Sequence, residues 1–157
     1  MVEFDKPDRR NSDILRDYAA RTRDALTHGA PVVYQGVFFD ETDPELPFIG
    51  YADFLVRQPD GRYRVVDTKL SRHVRVTALL QLAAYYEPRQ KPAIPVDDTV
   101  ELILGDNRSE IAHIDDVAPV FRSRRTRMHA LIAQHRSEGK PVDWLDERHM
   151  RDGRCKY

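Results

Sequence analysis

The sequence predicts a mixed α/β fold in which a central β-sheet is flanked by helices. Two observations support this class. Segments with the apolar periodicity of helices alternate with short apolar strand-like runs, in the order helix, three strands, helix, strand, a short further strand, helix. The chain has 157 residues, 41% of them hydrophobic and 32% charged, which suits a single globular domain with a core of its own.

The N-terminal part of the chain is predicted to contribute one helix and one buried strand. A cap at Ser12 or Asp13 begins a helix that runs to about His28, and Gly29 ends it. Residues 31–39 form an apolar run and predict the first strand.

A β-hairpin follows, with strands at residues 50–57 and 62–70. The intervening Gln-Pro-Asp-Gly is a turn sequence. If the turn centres on its aspartate, the opposed pairs are Arg57 and Tyr63, Leu55 and Val65, and Asp53 and Asp67. Directly opposed residues of an antiparallel pair have Cβ atoms about 5 Å apart, so the two aspartates would be in contact.

The second half of the chain completes the predicted sheet and its helical cover. The expected elements are a helix over residues 74–87 stopped by Pro88, strands at 99–104 and 111–114, and a last helix from Asp115 or Asp116 to about Ser137. Residues 1–11 and 146–157 are expected to be loose ends.

Composition excludes several classes of protein. The formal net charge is −1, so the chain as a whole does not attract nucleic acid and any basic surface must be local. No apolar run approaches the ~20 residues of a membrane span, and no secretory signal opens the chain. The single cysteine, Cys155, excludes an internal disulfide and is typical of the reducing cytoplasm.

Asp53, Asp67 and Lys69 form the first candidate site. Both aspartates follow apolar strand residues, where a charge is costly unless it is paired or bound to a metal. Lys69 lies two residues after Asp67, so strand alternation places both on one face. Two carboxylates and an amine on one face suggest a divalent-metal site with a charged helper. The alternative is a pair of exposed acids with Lys69 as their surface salt-bridge partner.

Gln81 and Tyr85 form a second candidate group, on the helix that follows the hairpin. Gln81 is the only strongly polar residue among residues 78–86, and Tyr85 is four residues later and shares its face. A buried glutamine needs partners for both ends of its amide, and beside a metal site these would be a phosphate, a base or the lysine. The alternative is a helix with Gln81 at its edge and Tyr85 as a core aromatic.

The motifs occur in a recognisable order: G-x-x-D at residues 50–53, D-x-K at 67–69 and Q-x-x-x-Y at 81–85, preceded by the strand at 33–40. In this order they resemble the RecB-like branch of the PD-(D/E)xK nuclease superfamily, which is akin to the CRISPR-associated RecB-like exonucleases. The resemblance covers about residues 32–104. It implies a restriction-endonuclease-like core within a single RecB-like nuclease domain over residues 1–157.

The resemblance implies roles for the matching residues. Asp53 and Asp67 would ligate Mg²⁺ or Mn²⁺, hard cations that prefer oxygen ligands, and the backbone carbonyl of Thr68 would complete part of the shell. Lys69 would orient or activate the attacking water. The last two matching residues, Gln81 and Tyr85, would support the site and the DNA.

Two groups of basic residues are candidates for contact with a phosphate backbone. Arg72, His73 and Arg75 flank the proposed site and are better placed for this role. A second group lies on the last helix and is more readily explained as a solvated charged face: Arg122, Arg124, Arg125, Arg127 and Arg136.

The chain departs from the family pattern in three ways. The acid before Lys69 is an aspartate where glutamate is commoner. No histidine or acid before the first strand lies in a recognisable motif, although Asp13, Asp17 and Asp24 are available. The cysteine cluster of many relatives is reduced to Cys155, so an iron–sulfur cluster within this chain is not supported. These departures suggest a core excised from a longer protein or a minimal variant, with further domains or a partner protein completing the site.

The expected function is therefore a metal-dependent deoxyribonuclease, more specifically an exonuclease, in DNA processing or repair. Its partner would be DNA, either single-stranded or with free ends, and not a membrane. Two alternatives stay open: a nucleic-acid-binding or assembly module of the same fold without catalysis, and a restriction-type endonuclease.

Overall fold

A computed structural model describes residues 1–5, 7, 11–41, 46–86 and 95–138. The fold is mixed α/β, with a six-stranded mixed sheet flanked by helices, as predicted. The chain divides into two compact units, Met1–Arg122 and Ser123–Tyr157. The sheet belongs to the first unit, and the described part of the second unit is the C-terminal portion of the last helix.

The strands lie in the sheet in the order in which they occur in the chain. They are β1 (Val2–Glu3), β2 (Val32–Asp40), β3 (Phe48–Arg57), β4 (Tyr63–Lys69), β5 (Val96–Leu104) and β6 (Ser109–His113). Strands β1 and β2 pair in parallel, as do β4 and β5, and every other neighbouring pair is antiparallel. The hairpin of β3 and β4 is therefore at the centre of the sheet.

Three helices are described: α1 (Ser12–Thr27), α2 (Val76–Tyr86) and α3 (Ile114–Glu138). The predicted cap of α1 at Ser12 or Asp13 is wrong, because Asn11 caps the helix by accepting hydrogen bonds from the backbone N–H groups of Asp13 and Ile14. The predicted end is confirmed: His28 is the C-terminal cap and Gly29 follows with a φ of +73°.

The prediction that residues 1–11 are loose is wrong for the start of the chain. Val2 pairs with Val33 in β1, and the next apolar residue, Phe4, is buried and donates its backbone N–H to the carbonyl of Tyr34. A two-residue strand is too short to produce a periodic pattern, so the sequence gives no signal for it. The expected loose end at 146–157, including Cys155, lies outside the described residues.

Several further boundaries differ from the prediction by up to three residues. Strand β6 begins at Ser109 rather than at residue 111, and α3 begins at Ile114 rather than at Asp115 or Asp116. Strand β5 begins at Val96 rather than at residue 99, since Val96 pairs with Tyr63 at the start of β4. Helix α2 begins at Val76 rather than at residue 74, and the carbonyl of Arg75 accepts the hydrogen bonds of its first turn. The predicted stop at Pro88 lies outside the described residues.

Apolar side chains from the strands, from α1 and α2 and from the start of α3 form the core of the first unit. Its most deeply buried members include Val33, Leu55, Val65, Leu82, Leu102 and Ile114. Helix α1 packs along β2, and α2 packs over β3, β4 and β5. The Tyr63 hydroxyl donates to the carbonyls of Leu26 and Ala30, which joins the start of β4 to the end of α1. None of the helices in the described ranges has the length and apolar character needed to cross a membrane.

Candidate metal and nucleic-acid site

The central hairpin brings the two predicted aspartates together. The predicted register is confirmed, with Arg57 opposite Tyr63, Leu55 opposite Val65 and the ladder ending at Phe54 and Val66. One step further along this register lie Asp53 and Asp67, and each carboxyl group influences the pKa of the other.

Asp53 is held by hydrogen bonds at both of its carboxylate oxygens. Thr68 donates to Oδ2 through its backbone N–H, at 3.1 Å, and through its hydroxyl, at 2.9 Å. Gln35 donates to Oδ1 through Nε2, at 3.2 Å. A carboxylate held at both oxygens cannot rotate freely, so Asp53 presents its remaining lone pairs in a fixed direction. The role of the Thr68 carbonyl as a ligand remains a prediction.

Asp67 is almost completely buried, with 1% of its surface exposed. Its Oδ2 forms an ion pair with the ammonium of Lys69, whose side chain is one-third exposed. Among the described residues, no group makes an aligned hydrogen bond to this buried oxygen. Asp67 is therefore a buried carboxylate whose Oδ2 is paired with the Lys69 ammonium. The contact agrees with the predicted placement of both residues on one face.

The two carboxyl groups differ in proton affinity. Burial is the largest influence on the pKa of Asp67 and raises it; the Lys69 charge opposes this rise and the contact with Asp53 adds to it. Burial would also raise the pKa of Asp53, but hydrogen bonds from Asp67 and Thr68, with the charge of Lys69, outweigh it and hold that pKa below its usual value. Of the two carboxyl groups, Asp67 therefore has the higher proton affinity.

Tyr85 and Gln81 form a hydrogen-bonded pair next to the carboxyl groups. The amide Nε2 of Gln81 donates to the hydroxyl oxygen of Tyr85, which confirms that the two side chains share a face of α2. Burial is the main cause of a raised pKa of the Tyr85 phenol, and the charges of Asp67 and Lys69 also act on it. Tyr85 is 6% exposed, so it packs in the core and supports the site from the side of α2.

A cleft of about 470 Å³ opens beside Lys69. Its lining includes the basic side chains of Lys69, His73 and Arg75 and the polar side chains of Ser71, Thr77 and Gln81. The volume lies within the range of small-ligand sites. The first turn of α2 contributes to this lining, and the N–H groups of a helix N-terminus favour an anion.

The segment that follows β4 is fixed against the turn after β5. The N–H of Gly105 donates to the carbonyl of Ser71 at 3.0 Å, and the Arg108 guanidinium donates to the carbonyl of Arg72 at 2.8 Å. A Cβ atom at Gly105 would lie 2.2 Å from the carbonyl oxygen of Leu70, so the two backbones approach as closely as only glycine allows. These contacts position the loop that carries the basic residues.

The structure separates the predicted DNA-binding residues. Arg75 lines the cleft with Gln81, whereas the described cleft lining does not include Arg72, whose side chain is exposed. On the last helix, Arg124 and the arginines after it belong to the second unit.

The candidate upstream acids are engaged on the exposed surface of α1. Asp13 pairs with Arg16, Asp17 with Arg21, and Asp24 with His28. All three carboxylates are more than half exposed, so none is a buried neighbour of Asp53. Gln35, which is buried beside Asp53, is a site residue that sequence reasoning missed. The sequence did contain a signal for it, because Gln35 is the one strongly polar residue among residues 32–39.

The residues fit a hard divalent cation in part. The neighbouring carboxylates of Asp53 and Asp67 provide the oxygen ligands that Mg²⁺ and Mn²⁺ prefer. Within the described ranges, however, no cluster of three or more His, Cys, Asp or Glu side chains is arranged to hold a metal. A cation at this position would therefore depend on two carboxylates together with neutral oxygens and water, which is common for Mg²⁺.

Comparison of the chain with protein-family models, with curated proteins and with solved structures gives no match. The likeness to RecB-like nucleases therefore rests on the motifs at residues 50–53, 67–69 and 81–85 alone. The structure brings residues of these three motifs close together: Thr68 donates to Asp53, and the charges of Asp67 and Lys69 act on the Tyr85 phenol.

Proposed function

We propose that this protein is a divalent-metal-dependent deoxyribonuclease of the RecB-like type that hydrolyses phosphodiester bonds in DNA. The observation that carries the proposal is the placement of Asp53 and Asp67 across the central hairpin, with the Lys69 ammonium paired to Asp67 and lining a basic cleft. A restriction-endonuclease-like core, an exonuclease mode and a role in DNA processing or repair follow from the resemblance and are part of the proposal. The single cysteine, Cys155, favours a reducing compartment such as the cytoplasm.

In the proposed site, Asp53 and Asp67 hold the cation, together with the carbonyl of Thr68. When bound, Mg²⁺ or Mn²⁺ neutralises the scissile phosphate and lowers the pKa of its water. Thr68 and Gln35 keep Asp53 in a fixed orientation through the hydrogen bonds to its two oxygens. Fixed ligands reduce the reorganisation needed when charge develops in the transition state.

Lys69 orients the attacking water in this scheme. The water oxygen forms a bond to phosphorus and gives up a proton to solvent, the bond from phosphorus to the leaving oxygen breaks, and that oxygen takes up a proton from solvent. Arg75 and His73 in the cleft would contact the phosphates next to the scissile one, and Arg72 would extend this contact outside the cleft. The hydrogen bond from Gln81 to Tyr85 supports the site from the side of α2.

The test is cleavage of end-labelled single-stranded and duplex DNA in Mn²⁺, Mg²⁺ or EDTA, comparing the full chain with Lys69→Ala. We expect metal-dependent cleavage that falls by about 100-fold or more in the variant, the usual contribution of a positioned acid–base group. Arg62→Ala is a matched control, because Arg62 is a basic residue of the same hairpin that pairs with Asp60 at the turn. Cleavage that survives in Lys69→Ala, or that EDTA does not stop, would contradict the proposed site.

A second candidate function is a nucleic-acid-binding module without catalysis. The observation that favours it is that the described residues offer two carboxylates, not three, for a metal. Binding of labelled DNA that depends on Arg75, with no cleavage in either metal, would establish this reading. Cleavage of closed circular duplex would instead show a restriction-type endonuclease, since an exonuclease needs a free end.

A further inference from the structure

Gln35 has an unusual backbone conformation in the middle of β2. Its φ is +57°, in the left-handed region that residues with side chains rarely adopt. The neighbouring residues keep the regular pairing with β3, with Tyr34 opposite Phe54 and Gly36 opposite Ala52. The distortion is therefore confined to Gln35, at the position that faces Asp53.

The side chain of Gln35 is buried, and hydrogen bonds within the described residues satisfy only one end of its amide. It is 8% exposed, and its Nε2 donates to Oδ1 of Asp53 at 3.2 Å. Its Oε1 is buried, and among the described residues no group donates to this oxygen. A buried amide oxygen without a partner is costly, so its persistence indicates a partner that the protein chain does not supply.

We infer that Gln35 is a positioning residue of the cation site. Its amide nitrogen fixes the direction of Asp53, and its amide oxygen accepts a hydrogen bond from a water of the bound cation. This inference rests on the proposed function, because it requires a cation at Asp53 and Asp67. It also explains how a site with two carboxylates can be completed: a neutral amide acts where a third acid would otherwise be needed.

The experiment measures Mn²⁺ binding by isothermal titration and by the electron paramagnetic resonance spectrum of the bound ion, on the full chain. Gln35→Met keeps the size of the side chain and removes both its donor and its acceptor. We expect the Kd for Mn²⁺ to rise roughly tenfold or more, as for other groups that orient a metal ligand, and the spectrum of the bound ion to change. A purely structural role for Gln35 would leave that spectrum unchanged.

A second variant covers the case in which Gln35→Met does not fold. Gln35→Glu keeps an acceptor oxygen and adds a carboxylate beside Asp53, so a cation should raise its melting temperature more than that of the wild type. An equal rise in both proteins would overturn the inference.

The outcomes separate the two proposals. If the wild type binds Mn²⁺ and Gln35→Met binds it equally well, the role of Gln35 is wrong and the nuclease proposal stands. If the wild type binds no Mn²⁺ at all, the metal site and the role of Gln35 both fail.

Discussion

Gly50 allows the large side chain of Tyr85 to pack against the backbone, because Gly50 has no side chain of its own. A Cβ atom at this position would lie 2.7 Å from Cδ1 of the Tyr85 ring, so the ring packs directly on the backbone of β3. Phe38, which pairs with Gly50 across β2 and β3, stacks on the same ring with centroids 6.3 Å apart. The first residue of the G-x-x-D motif and the last residue of the Q-x-x-x-Y motif are thus in contact.

Substitution of Gly50 tests this contact. We expect Gly50→Ala to lower the free energy of unfolding by about 1–3 kcal/mol, the usual cost of overpacking a core, when measured by urea denaturation. Because the clash is with Tyr85, the same substitution in a Tyr85→Leu background should cost clearly less. Equal costs in the two backgrounds would show that the ring is not the obstacle.

Individual site residues could be chosen from the sequence wherever a polar residue interrupts an apolar strand or helix. This criterion selected Asp53, Asp67 and Gln81, and it applies equally to Gln35. What distinguishes Gln35 is its backbone conformation, and neither its φ of +57° nor its contact with Asp53 follows from residue type. Strand pairing between β2 and β3 had to be known first.

At the level of elements, a buried ion pair joins the parallel strands β4 and β5. Arg64 donates to Oδ2 of Asp97 at 2.9 Å, and Thr99 donates to Oδ1 through its backbone N–H and its hydroxyl. Asp97 is 4% exposed. Burial, the largest influence, would raise the pKa of Asp97, but the hydrogen bonds from Thr99 and Arg64 outweigh it and lower that pKa.

This ion pair should make folding stability depend on pH. Because the pKa of Asp97 is lower in the folded state, its contribution is present above the unfolded pKa of about 3.9 and is lost as pH falls through the folded value. We expect Asp97→Asn to destabilise the protein by about 2 kcal/mol at pH 7, since it removes the nearer of the two carboxylates that pair with Arg64, the other being Glu101 at 3.8 Å.

Urea denaturation between pH 7 and pH 2 measures the effect. The difference between wild type and Asp97→Asn should narrow below about pH 4. Asp17→Asn is the control, because Asp17 is largely exposed and its contact with Arg21 is long, at 3.8 Å. A difference that stays constant across this pH range would contradict the assignment of the lowered pKa to Asp97.

Elements with strong local signals could be predicted, and elements defined by tertiary pairing could not. The turn sequence after Arg57 fixed the register of the hairpin, because the turn type determines which residues oppose each other. Strand β1 and the first residues of β5 exist because they pair with β2 and β4, and such pairing leaves no local pattern. The cap of α1 was misplaced by one or two residues, since Asn11, Ser12 and Asp13 are all good capping residues.

At the scale of the whole molecule, charge is nearly balanced. The chain has 25 Lys and Arg residues against 26 Asp and Glu residues, which gives a formal net charge of −1. General attraction to DNA is therefore weak, and binding must depend on where the basic residues lie. In the first unit, the residues that line the cleft include Lys69, His73 and Arg75.

The salt dependence of DNA binding tests this local arrangement. If about three phosphates are neutralised, the logarithm of the association constant for a single strand should fall with the logarithm of salt concentration with a slope of about −2. Arg75→Ala should reduce the magnitude of the slope by about 0.7, whereas Arg62→Ala should not change it. Fluorescence anisotropy of a labelled oligonucleotide in EDTA provides the measurement. A much steeper slope would show that a wider basic surface takes part.

The division into two units could not be predicted from the sequence. A boundary between units is usually marked by a linker rich in proline, glycine or polar residues, but here it falls between Arg122 and Ser123, inside the continuous helix α3.

The close approach of Gly105 to Leu70 means that position 105 must remain glycine, whereas the side chain at position 70 can be exchanged. Because the contact is between two backbones, no change in the side chain of Leu70 could make room for a larger residue at position 105. The side chain of Leu70 is 98% exposed and meets no such restriction. The outward-facing surface of this loop can therefore change at Leu70 while the path of the loop, and with it the placement of Lys69, stays the same.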